Sequence, residues 1–531
     1  MEVERVKTVC RSCHGGCGII AHVKNGKVIK VEGDPESPIS HGTMCAKGLA
    51  ITQLAYHPDR ILYPMQKTNG NWKRIGWDEA LDTVASRFKE VIADCGSEAI
   101  IVGQGTGRDY ESHFSRFGNL LGTPNILTAG HMCYLSRIGA TLTTCGRHPA
   151  IDYANDPKCI VMWACNPQWT NPDEYKGVSF WRAYEKGAKL IVIDPRKGFL
   201  AKRADLWLQL RPGTDAALAL GFFHVIIEEE LYDREFVSQH IYGWDSFVER
   251  VRKDYALNRV EEITWVKQDL IRKAARLYAT TKPAGIHWGV PTEQTINCTD
   301  FTRTAVGLMA ATGNLDAPGG NVFHVPPPVR KVAEFSAHTE LPREQVKKRL
   351  GGDRYKLAAR MTFITPKCAW DAILTEKPYA VKAGYLIGTN PVLSRANAGE
   401  VYKALKKLDF LVVQDFFLTP TAEMADIFLP AGTWLEQNHV AENWKFHGYV
   451  LARQKVVEIG ECWQDHKIFM ELGKKMGQQW WDSVEDALEW LLEPTGLTWE
   501  EFKKKGYLHG DQRYYKYRES GFSTPTGKVE L

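Results

Sequence analysis

Short runs of apolar residues alternate with helical patterns along most of the chain. The runs are bounded by polar or glycine residues, as is typical of strands buried on both faces. In order, they are Ala99–Val102, Ile160–Trp163, Leu190–Ile193, Gly285–Trp288, Tyr385–Ile387 and Phe410–Val413. Between them, apolar positions recur at helical spacing, for example in Asp215–Ile227 and Asp300–Ala311. Buried strands separated by helices predict α/β domains with parallel sheets.

The first 57 residues follow a different pattern. Gly18–Val23 and Lys27–Val31 alternate between apolar and polar residues and flank an Asn25-Gly26 turn, which predicts an antiparallel hairpin. Farther on, Asp78 precedes an apolar stripe at helical spacing and is expected to be a helix N-cap. The sequence thus predicts a small β-rich segment followed by doubly wound α/β domains.

Two segments share a faint internal repeat. Each has a strand, an Asn-Pro pair, a second strand ending in aspartate, and an Ala-Asp pair before an apolar run. The first copy contains Asn166-Pro167, Asp194-Pro195-Arg196, Ala204-Asp205 and Arg211–Thr214, and the second contains Asn390-Pro391, Gln414-Asp415, Ala425-Asp426 and Pro430–Thr433. The polar residues follow the carboxyl ends of strands, where open α/β sheets bind ligands. Two similar units predict two similar ligands.

Composition and charge narrow the function. A chain of 531 residues is too long to fold around a single hydrophobic core, so about three domains are expected. The net charge of +4, with no basic run, argues against nucleic acid as a partner. The longest apolar stretch, Ala216–Ile227, falls short of the ~20 residues that a membrane span needs. Because a motif begins at residue 10, we expect no leader peptide and a cytoplasmic protein with reduced cysteines.

Four cysteines near the amino terminus form the strongest motif. Cys10, Cys13 and Cys17 lie on one short segment, and Cys45 follows at a distance. This spacing favours a 4Fe–4S cluster, whereas structural zinc more often uses two separated Cys-x2-Cys pairs; zinc or unligated thiols are the alternatives. Lys47 follows Cys45 closely and either places a cation beside the cluster or is an ordinary surface lysine.

The cysteine motif, Ala46-Lys47-Gly48 and the paired Asn-Pro repeats together resemble the DMSO reductase family. That family binds molybdenum or tungsten between two pyranopterin (molybdopterin) guanine dinucleotides, and the likeness covers nearly the whole chain. Asp59–Pro64, Asp194–Arg196, Arg211–Ala217 and Phe522–Leu531 are similar to the acetylene hydratase and formate dehydrogenase branches. The resemblance implies a 4Fe–4S cluster and a bis-molybdopterin guanine dinucleotide carrying Mo or W.

The resemblance also implies roles for individual residues. Asn166 and Asn390 would begin the two nucleotide-binding loops. The other implied cofactor-binding residues are Lys47, Arg108, Asp194, Arg196, Gly213, Asp215, Gly388 and Asp415. A carboxylate can accept paired N–H bonds from a guanine edge, and arginine can bind phosphate with two N–H groups. For each single Asn-Pro or Asp-Pro pair, an ordinary turn is the alternative.

Cys133 is the implied protein ligand of the metal. It ends the segment Ala129-Gly130-His131-Met132-Cys133, where the family supplies that ligand. A thiolate suits a soft, sulfur-rich metal site, and a buried structural cysteine is the alternative. Formate dehydrogenases usually carry histidine after this ligand, but Tyr134 follows here.

His14 occupies the region in which acetylene hydratases carry an aspartate beside the substrate. It could exchange a proton near pH 7, donate to a cluster sulfide, or be exposed. Cys133, Lys47, His14 and His131 are therefore the catalytic candidates. Further pocket candidates by position alone are Arg108, Arg147, His148 and Trp169.

Three functional hypotheses follow. The first is a cytoplasmic Mo or W oxidoreductase that passes electrons between a small substrate and a ferredoxin-like iron–sulfur protein. The second is a non-redox hydratase similar to acetylene hydratase, and the third is an inactive electron-transfer or truncated subunit. Family members normally continue past Gly527–Leu531 into a domain that closes over both dinucleotides, so either another polypeptide supplies it or the sequence is a truncated product.

The expected domains are assigned by segment. Residues 1–57 form the 4Fe–4S domain, to which parts of 431–531 return. Residues 58–130 with 335–430 form one dinucleotide-binding domain, and 131–334 form the other.

Overall fold

The computed structural model describes residues 2–106, 109–167, 169, 176–355, 362–442 and 448–531. These fall into two compact units. The first unit contains Met1–His131, Pro328–Glu442 and Val450–Leu508, and the second contains Met132–Pro327, Asn443–Tyr449 and His509–Leu531. The predicted domain limits stay a prediction.

The strands of the described residues are numbered in chain order. They are β1 Glu4–Val9, β2 Gly18–Lys24, β3 Lys27–Gly33, β4 Met65–Thr68, β5 Asn71–Arg74, β6 Ile100–Gln104, β7 Ile126–Leu127, β8 Ala150–Ile151, β9 Cys159–Trp163, β10 Lys189–Ile193, β11 Leu206–Leu208, β12 Ile241–Tyr242, β13 Ala284–Trp288, β14 Asn321–Val322, β15 Ala383–Ile387, β16 Phe410–Asp415, β17 Ile427–Pro430, β18 His439–Glu442, β19 Tyr449–Arg453, β20 Tyr507–His509 and β21 Val529–Glu530.

The helices of the same residues are numbered likewise. They are α1 Ala46–Leu49, α2 Ile51–Ala55, α3 Trp77–Cys95, α4 Glu111–Leu121, α5 Leu135–Cys145, α6 Lys176–Glu185, α7 Asp215–Glu228, α8 Arg234–His240, α9 Trp244–Asp254, α10 Leu257–Thr264, α11 Gln268–Thr280, α12 Cys298–Ala311, α13 Val332–Phe335, α14 Arg343–Lys347, α15 Pro366–Thr375, α16 Pro391–Ser394, α17 Ala398–Lys407, α18 Asp465–Lys475, α19 Val484–Leu492, α20 Trp499–Lys505 and α21 Tyr517–Ser520.

The first unit contains a small antiparallel sheet and a large, mostly parallel one. The small sheet has the order β1-β2-β3, and both Asn25 and Gly26 of its hairpin have positive φ, as a type I′ turn requires. The large sheet has the order β5-β4-β17-β16-β15-β6-β7, with parallel pairing from β17 to β7. Its central strands are buried along almost their whole length, which explains their continuous apolar sequences.

The second unit is built on a four-stranded parallel sheet in the order β11-β10-β9-β13. One face packs against α7, α11 and α12, whose apolar side chains form the largest core of this unit. The predicted fold class, a β-rich amino-terminal segment followed by parallel α/β sheets, is therefore confirmed.

The prediction that Asp78 caps a helix is wrong. Helix α3 begins one residue earlier, at Trp77, and Gly76 is its N-cap. The indole of Trp77 is buried, donates to the carbonyl of Glu461 at 2.7 Å and stacks on Trp463. This packing draws Trp77 into the first turn, where Asp78 instead meets the positive end of the helix dipole.

The internal repeat is present in the backbone as well as in the sequence. Asp205 accepts a hydrogen bond from the amide of Leu190 at 2.9 Å, and Asp426 accepts one from Leu411 at 2.8 Å. In each copy the aspartate thereby joins the start of one strand, β10 or β16, to the next strand of the sheet. The two aspartates are thus equivalent residues of two equivalent half-sheets.

Candidate molybdopterin and iron–sulfur site

Three of the four motif cysteines lie in one tight loop. Strand β1 ends at Val9 and its partner β2 begins at Gly18, so the loop that carries Cys10, Cys13 and Cys17 is closed at its base by paired strands. The amide of Cys10 donates to the carbonyl of Cys17 at 2.9 Å, and all three side chains are buried. Cys45 is partly exposed and directly precedes helix α1.

The turn that carries Lys47 packs onto this loop. A side chain at Gly48 would place its Cβ 3.1 Å from the sulfur of Cys10, and the hydroxyl of Ser12 donates to the carbonyl of Lys47 at 3.5 Å. Burial, followed by the nearby Cys13 and Cys45, raises the pKa of Cys10 to about 11. Crowded buried thiols become thiolates when a metal balances their charge, so this donor set fits an iron–sulfur cluster. Within the described ranges, no three His, Cys, Asp or Glu side chains are grouped as ligands of one metal ion.

Each parallel sheet has a close backbone contact at its topological switch point. Beyond β6, a Cβ on Gly105 would lie 2.3 Å from the carbonyl oxygen of Gly388, which follows the adjacent strand β15. Beyond β13, a Cβ on Gly289 would lie 2.2 Å from the carbonyl oxygen of Ala164, which follows β9. Ala164 and Gly388 both have positive φ, at 49° and 52°. These matching crevices lie at the carboxyl ends of strands, where such sheets bind nucleotides.

The strand that leads into one crevice ends in an unsatisfied buried amide. Gln104, the last residue of β6, is 1% exposed, and neither its side-chain oxygen nor its nitrogen has a partner among the described residues. Buried polar atoms are normally hydrogen-bonded, so an unpaired amide next to Gly105 fits a polar ligand in this crevice. The ligand would complete the hydrogen bonding that the protein leaves open.

Cys133 lies at the start of the second unit, half-buried, just before helix α5. The adjacent Tyr134 places its hydroxyl 2.6 Å from Nε2 of His148, and the guanidinium of Arg137 lies over the Tyr134 ring at 4.7 Å. Arg137 is in turn paired with buried Glu293. The surroundings of Cys133 are therefore polar and held by a buried ion pair.

Comparison with known proteins assigns both the cysteine segment and the α/β region to one family. Residues 60–475 match the family model described as molybdopterin oxidoreductase, and residues 3–57 match its Fe4S4 domain. The chain belongs to the molybdopterin oxidoreductase family.

Individual relatives cover almost the whole chain. Acetylene hydratase of Syntrophotalea acetylenica is 34% identical over 98% of this chain and 76% of its own length, and formate dehydrogenase H of Escherichia coli is 28% identical over 100% and 78%. The solved structure of acetylene hydratase from Pelobacter acetylenicus aligns with a TM-score of 0.92 and 34% identity, covering 99% of this chain and 77% of that chain.

Membership confirms two predictions from the sequence. The Fe4S4 and molybdopterin regions support a 4Fe–4S cluster and a molybdopterin cofactor, rather than structural zinc, for this chain. The resemblance to the DMSO reductase family, with similarity to acetylene hydratase and formate dehydrogenase, is likewise confirmed. No helix among the described residues is long and apolar enough to span a membrane.

In the second unit, the predicted molybdopterin dinucleotide residues follow strands β9, β10 and β11. The carboxylate of Asp194 accepts a bond from the amide of Arg196 at 2.7 Å, and the Arg196 side chain is exposed and available to a phosphate. Asn166 follows the Ala164 turn, while Gly213 has φ +82°. Asp215 is buried and accepts a hydrogen bond from the indole of Trp163 at 2.8 Å, so its carboxylate is already bonded within the protein core.

In the first unit, the corresponding residues follow β15 and β16. Asn390 accepts from the hydroxyl of Thr421 at 2.7 Å, which fixes its amide beside Gly388. Burial raises the pKa of Asp415 to about 6, although the amide of Phe416 donates to its carboxylate. Paired N–H donors from a guanine edge would favour its ionised form. Arg108 lies outside the described residues.

The remaining candidates differ in how exposed they are. His14 is half-buried in the cysteine loop, whereas Lys47 and Arg147 are exposed. His131 places Nε2 3.0 Å from the carbonyl of Phe363, and Trp169 is 69% exposed. These positions leave all the assigned roles as predictions.

Several residues of the site were not found from the sequence. They are Gln104, Ala164 and Gly289, together with Arg11 and Asp109, which form a buried ion pair at 2.9 Å between the cysteine loop and the loop beyond β6. The signals for Arg11 were its position between two cysteines and its charge. Gly105 and Gly289 hold equivalent positions in the two sheets, but the sequence does not align them. Strand β6 comes before β15, the counterpart of β9, whereas β13 comes after β9.

Replacing Gly48 by alanine is expected to reduce cluster content. The new methyl group would meet Cys10 Sγ at 3.1 Å and the terminal carbon of Met44 at 2.8 Å, and overpacking of this kind costs about 1–3 kcal/mol. Iron per protein after anaerobic purification measures the effect. The control is Gly399→Ala on helix α17, where no atom lies within 4 Å of the added Cβ. Equal iron in both variants would contradict this packing of the Lys47 turn.

Gly105→Ala and Gly289→Ala are expected to reduce bound pterin. Each added methyl would overlap a fixed carbonyl oxygen, so the crevice must open, again at a cost of about 1–3 kcal/mol. Fluorescence of the oxidised pterin released from purified protein gives the content. Gly399→Ala again serves as the control, and wild-type pterin in both crevice variants would mean that the glycine contacts do not shape the cofactor site.

Proposed function

We propose that this protein is a molybdenum- or tungsten-dependent oxidoreductase that passes electrons between a small substrate and a ferredoxin-like iron–sulfur partner. The observation that supports it best is the packing of the Lys47 turn on the cysteine loop. This packing keeps an exposed cation next to Cys45, the least buried of the four cysteines. A cation favours added negative charge on a nearby redox group, so the arrangement suits electron transfer through the cluster.

In this proposal, Cys10, Cys13, Cys17 and Cys45 hold the cluster and Cys133 binds the Mo or W. The crevices at Gly105 and Gly289 would each hold one dinucleotide. When bound, the metal and its pterins supply the oxygen-atom, hydride or hydroxyl chemistry. The protein contributes binding, orientation and the charges around that centre.

His131 would contribute a proton acceptor. Its Nε2 lies 3.0 Å from the carbonyl of Phe363, so Nε2 carries the hydrogen and Nδ1 is the basic nitrogen. Burial lowers the pKa of His131, although the bond to Phe363 opposes this. A neutral imidazole with a fixed tautomer can take up a proton at Nδ1.

The second candidate function is hydration without net redox chemistry. The similarity to acetylene hydratase, at 34% identity and a TM-score of 0.92, favours it. In that function His14 would exchange the proton, and the cluster would only stabilise the site. The main chain of His14 is held in place because Arg11 donates a hydrogen bond to the His14 carbonyl at 2.9 Å.

Metal and pterin analysis of anaerobically purified protein, followed by two assays, tests both candidates. Oxidation or reduction of a viologen dye coupled to a small substrate supports the oxidoreductase. Hydration of acetylene without dye turnover, abolished in His14→Ala, supports the hydratase instead. Iron without molybdenum, tungsten or pterin would overturn both and favour an inactive subunit.

A further inference from the structure

A buried ion pair anchors the cysteine loop to the loop beyond β6. Arg11 lies between Cys10 and Cys13, and its Nη2 is 2.9 Å from Oδ1 of Asp109, while its Nε donates to Oδ2 at 3.1 Å. Arg11 is 6% exposed and Asp109 is 7% exposed. This two-point contact fixes the orientation of the guanidinium as well as its distance.

The carboxylate of Asp109 also has a second cationic partner. Arg453, at the end of β19, donates to Oδ2 of Asp109 and is 2% exposed. Although burial alone would raise the pKa of Asp109, the two guanidinium groups hold it well below its usual range. Two buried cations therefore share one anion next to the cysteine loop.

Two histidines near this carboxylate, His439 and His466, add no charge, because burial lowers the pKa of each. His439 places Nε2 3.9 Å from Oδ1 of Asp109. Burial lowers the pKa of His439 well below its usual range, despite the opposing effect of Asp109. At neutral pH the charges at this point are those of Arg11, Asp109 and Arg453, together with buried Asp465, whose pKa burial raises to about 6.

Hydrogen bonds extend from this group into the sheet. Arg453 donates to Gln437 at 3.4 Å, and Gln437 donates to Asp465 at 2.8 Å. Asp465 also accepts from Gln414 at 2.6 Å, the residue before Asp415. Because these side chains are buried, the network holds Asp109 rigidly, as a residue that sets a charge near the cluster must be held.

Arg11 transmits this position to the ligand loop. Its Nη1 donates to the carbonyl of His14, which lies between Cys13 and Cys17. The same guanidinium thus bonds the anchor at Asp109 and the turn between two of the cysteines. Arg11 therefore fixes both the position of its own charge and the geometry of the cysteine loop.

We propose that Arg11 and Asp109 are positioning residues that set the reduction potential of the 4Fe–4S cluster. Arg11 raises the potential because its charge stabilises the reduced, more negative cluster, and Asp109 limits that rise while holding the guanidinium in place. The proposal rests on the assignment of Cys10, Cys13, Cys17 and Cys45 as the cluster ligands.

Redox titration of the anaerobic holoenzyme, followed by the EPR signal of the reduced cluster, tests the proposal. Arg11→Gln removes the cation and is expected to shift the midpoint potential downward. Asp109→Asn removes the anion and is expected to shift it upward. Arg11→Lys keeps the charge and is expected to stay closer to wild type than Arg11→Gln.

Asp426→Asn provides the matched control. Asp426 is a half-buried carboxylate that bonds Leu411 at the amino end of β16, the opposite end from Asp415. Its removal is expected to lower stability without moving the potential. A purely structural role for Arg11 would therefore resemble this control and would not give shifts of opposite sign.

Three results would overturn the proposal. The first is shifts of the same direction in Arg11→Gln and Asp109→Asn, and the second is equal potentials in Arg11→Gln and Arg11→Lys with iron retained. The third is loss of iron from all three variants, which would make the pair a folding element only. A wild-type protein with iron but no 4Fe–4S signal would instead overturn the proposed ligands, and is distinguished before any variant is made.

Discussion

Replacing Cys133 by alanine is expected to reduce turnover at least about 100-fold while leaving the 4Fe–4S cluster in place. Even groups that only support a metal ligand are worth about 10–100-fold, and loss of the ligand itself should cost more. The cluster cysteines belong to another segment of the chain, so iron content should stay near wild type. Specific activity and iron per protein, measured on the same preparation, give both quantities.

Cys95→Ala is the control for this experiment. Cys95 is exposed at the end of helix α3 and has no predicted ligand role. It reports what removal of an accessible thiol does to the preparation. If Cys133→Ala turns over at the rate of Cys95→Ala, Cys133 is a structural cysteine and the proposed metal ligand is wrong.

Replacing Arg60 by methionine is expected to lower the free energy of unfolding by about 3–5 kcal/mol, the usual cost of leaving one member of a buried ion pair alone. The Arg60 side chain is completely buried and donates to Glu436 at 2.7 Å. It also donates to the carbonyls of Ala55 and Ala431, each at 2.9 Å. Urea denaturation followed by fluorescence measures the change.

An exposed pair provides the comparison. Arg234, the first residue of α8, pairs with Glu230 in the preceding turn, and their side chains are 70% and 62% exposed, so Arg234→Met should cost at most about 1 kcal/mol. Restoring balance with Arg60→Met and Glu436→Leu together should recover part of the loss, because no buried charge then stays unpaired. A single Arg60→Met variant as stable as Arg234→Met would contradict the importance of this pair.

The sequence predicted best those elements whose environment is uniform along their length. Strands such as Cys159–Trp163 are buried at every residue, so their apolar runs are unambiguous. The Asn25-Gly26 hairpin was equally clear, because that dipeptide favours two successive residues with positive φ. The start of α3 was misplaced because a tertiary contact of Trp77 decided it, and local capping preference carries no information about such contacts.

The residues of the candidate site likewise differ in whether the sequence alone could identify them. The four cysteines could be found by spacing, since their loop is local. Asp109 could not be linked to Arg11, since 98 residues separate them and only the fold brings them together. The pairing of Gly105 with Gly388 has the same cause, because it depends on the order of strands in the sheet.

The segmented layout of the first unit has a consequence for synthesis on the ribosome. The sheet β11-β10-β9-β13 is complete once residue 288 has emerged, because its strands come from one continuous stretch. The larger sheet waits for β17 at residues 427–430, and the anchor of the cysteine loop waits for Arg453. Since domains generally fold as they are completed during translation, the amino-terminal loop reaches its final form late. We therefore expect iron to be inserted only after Arg453 has been synthesised.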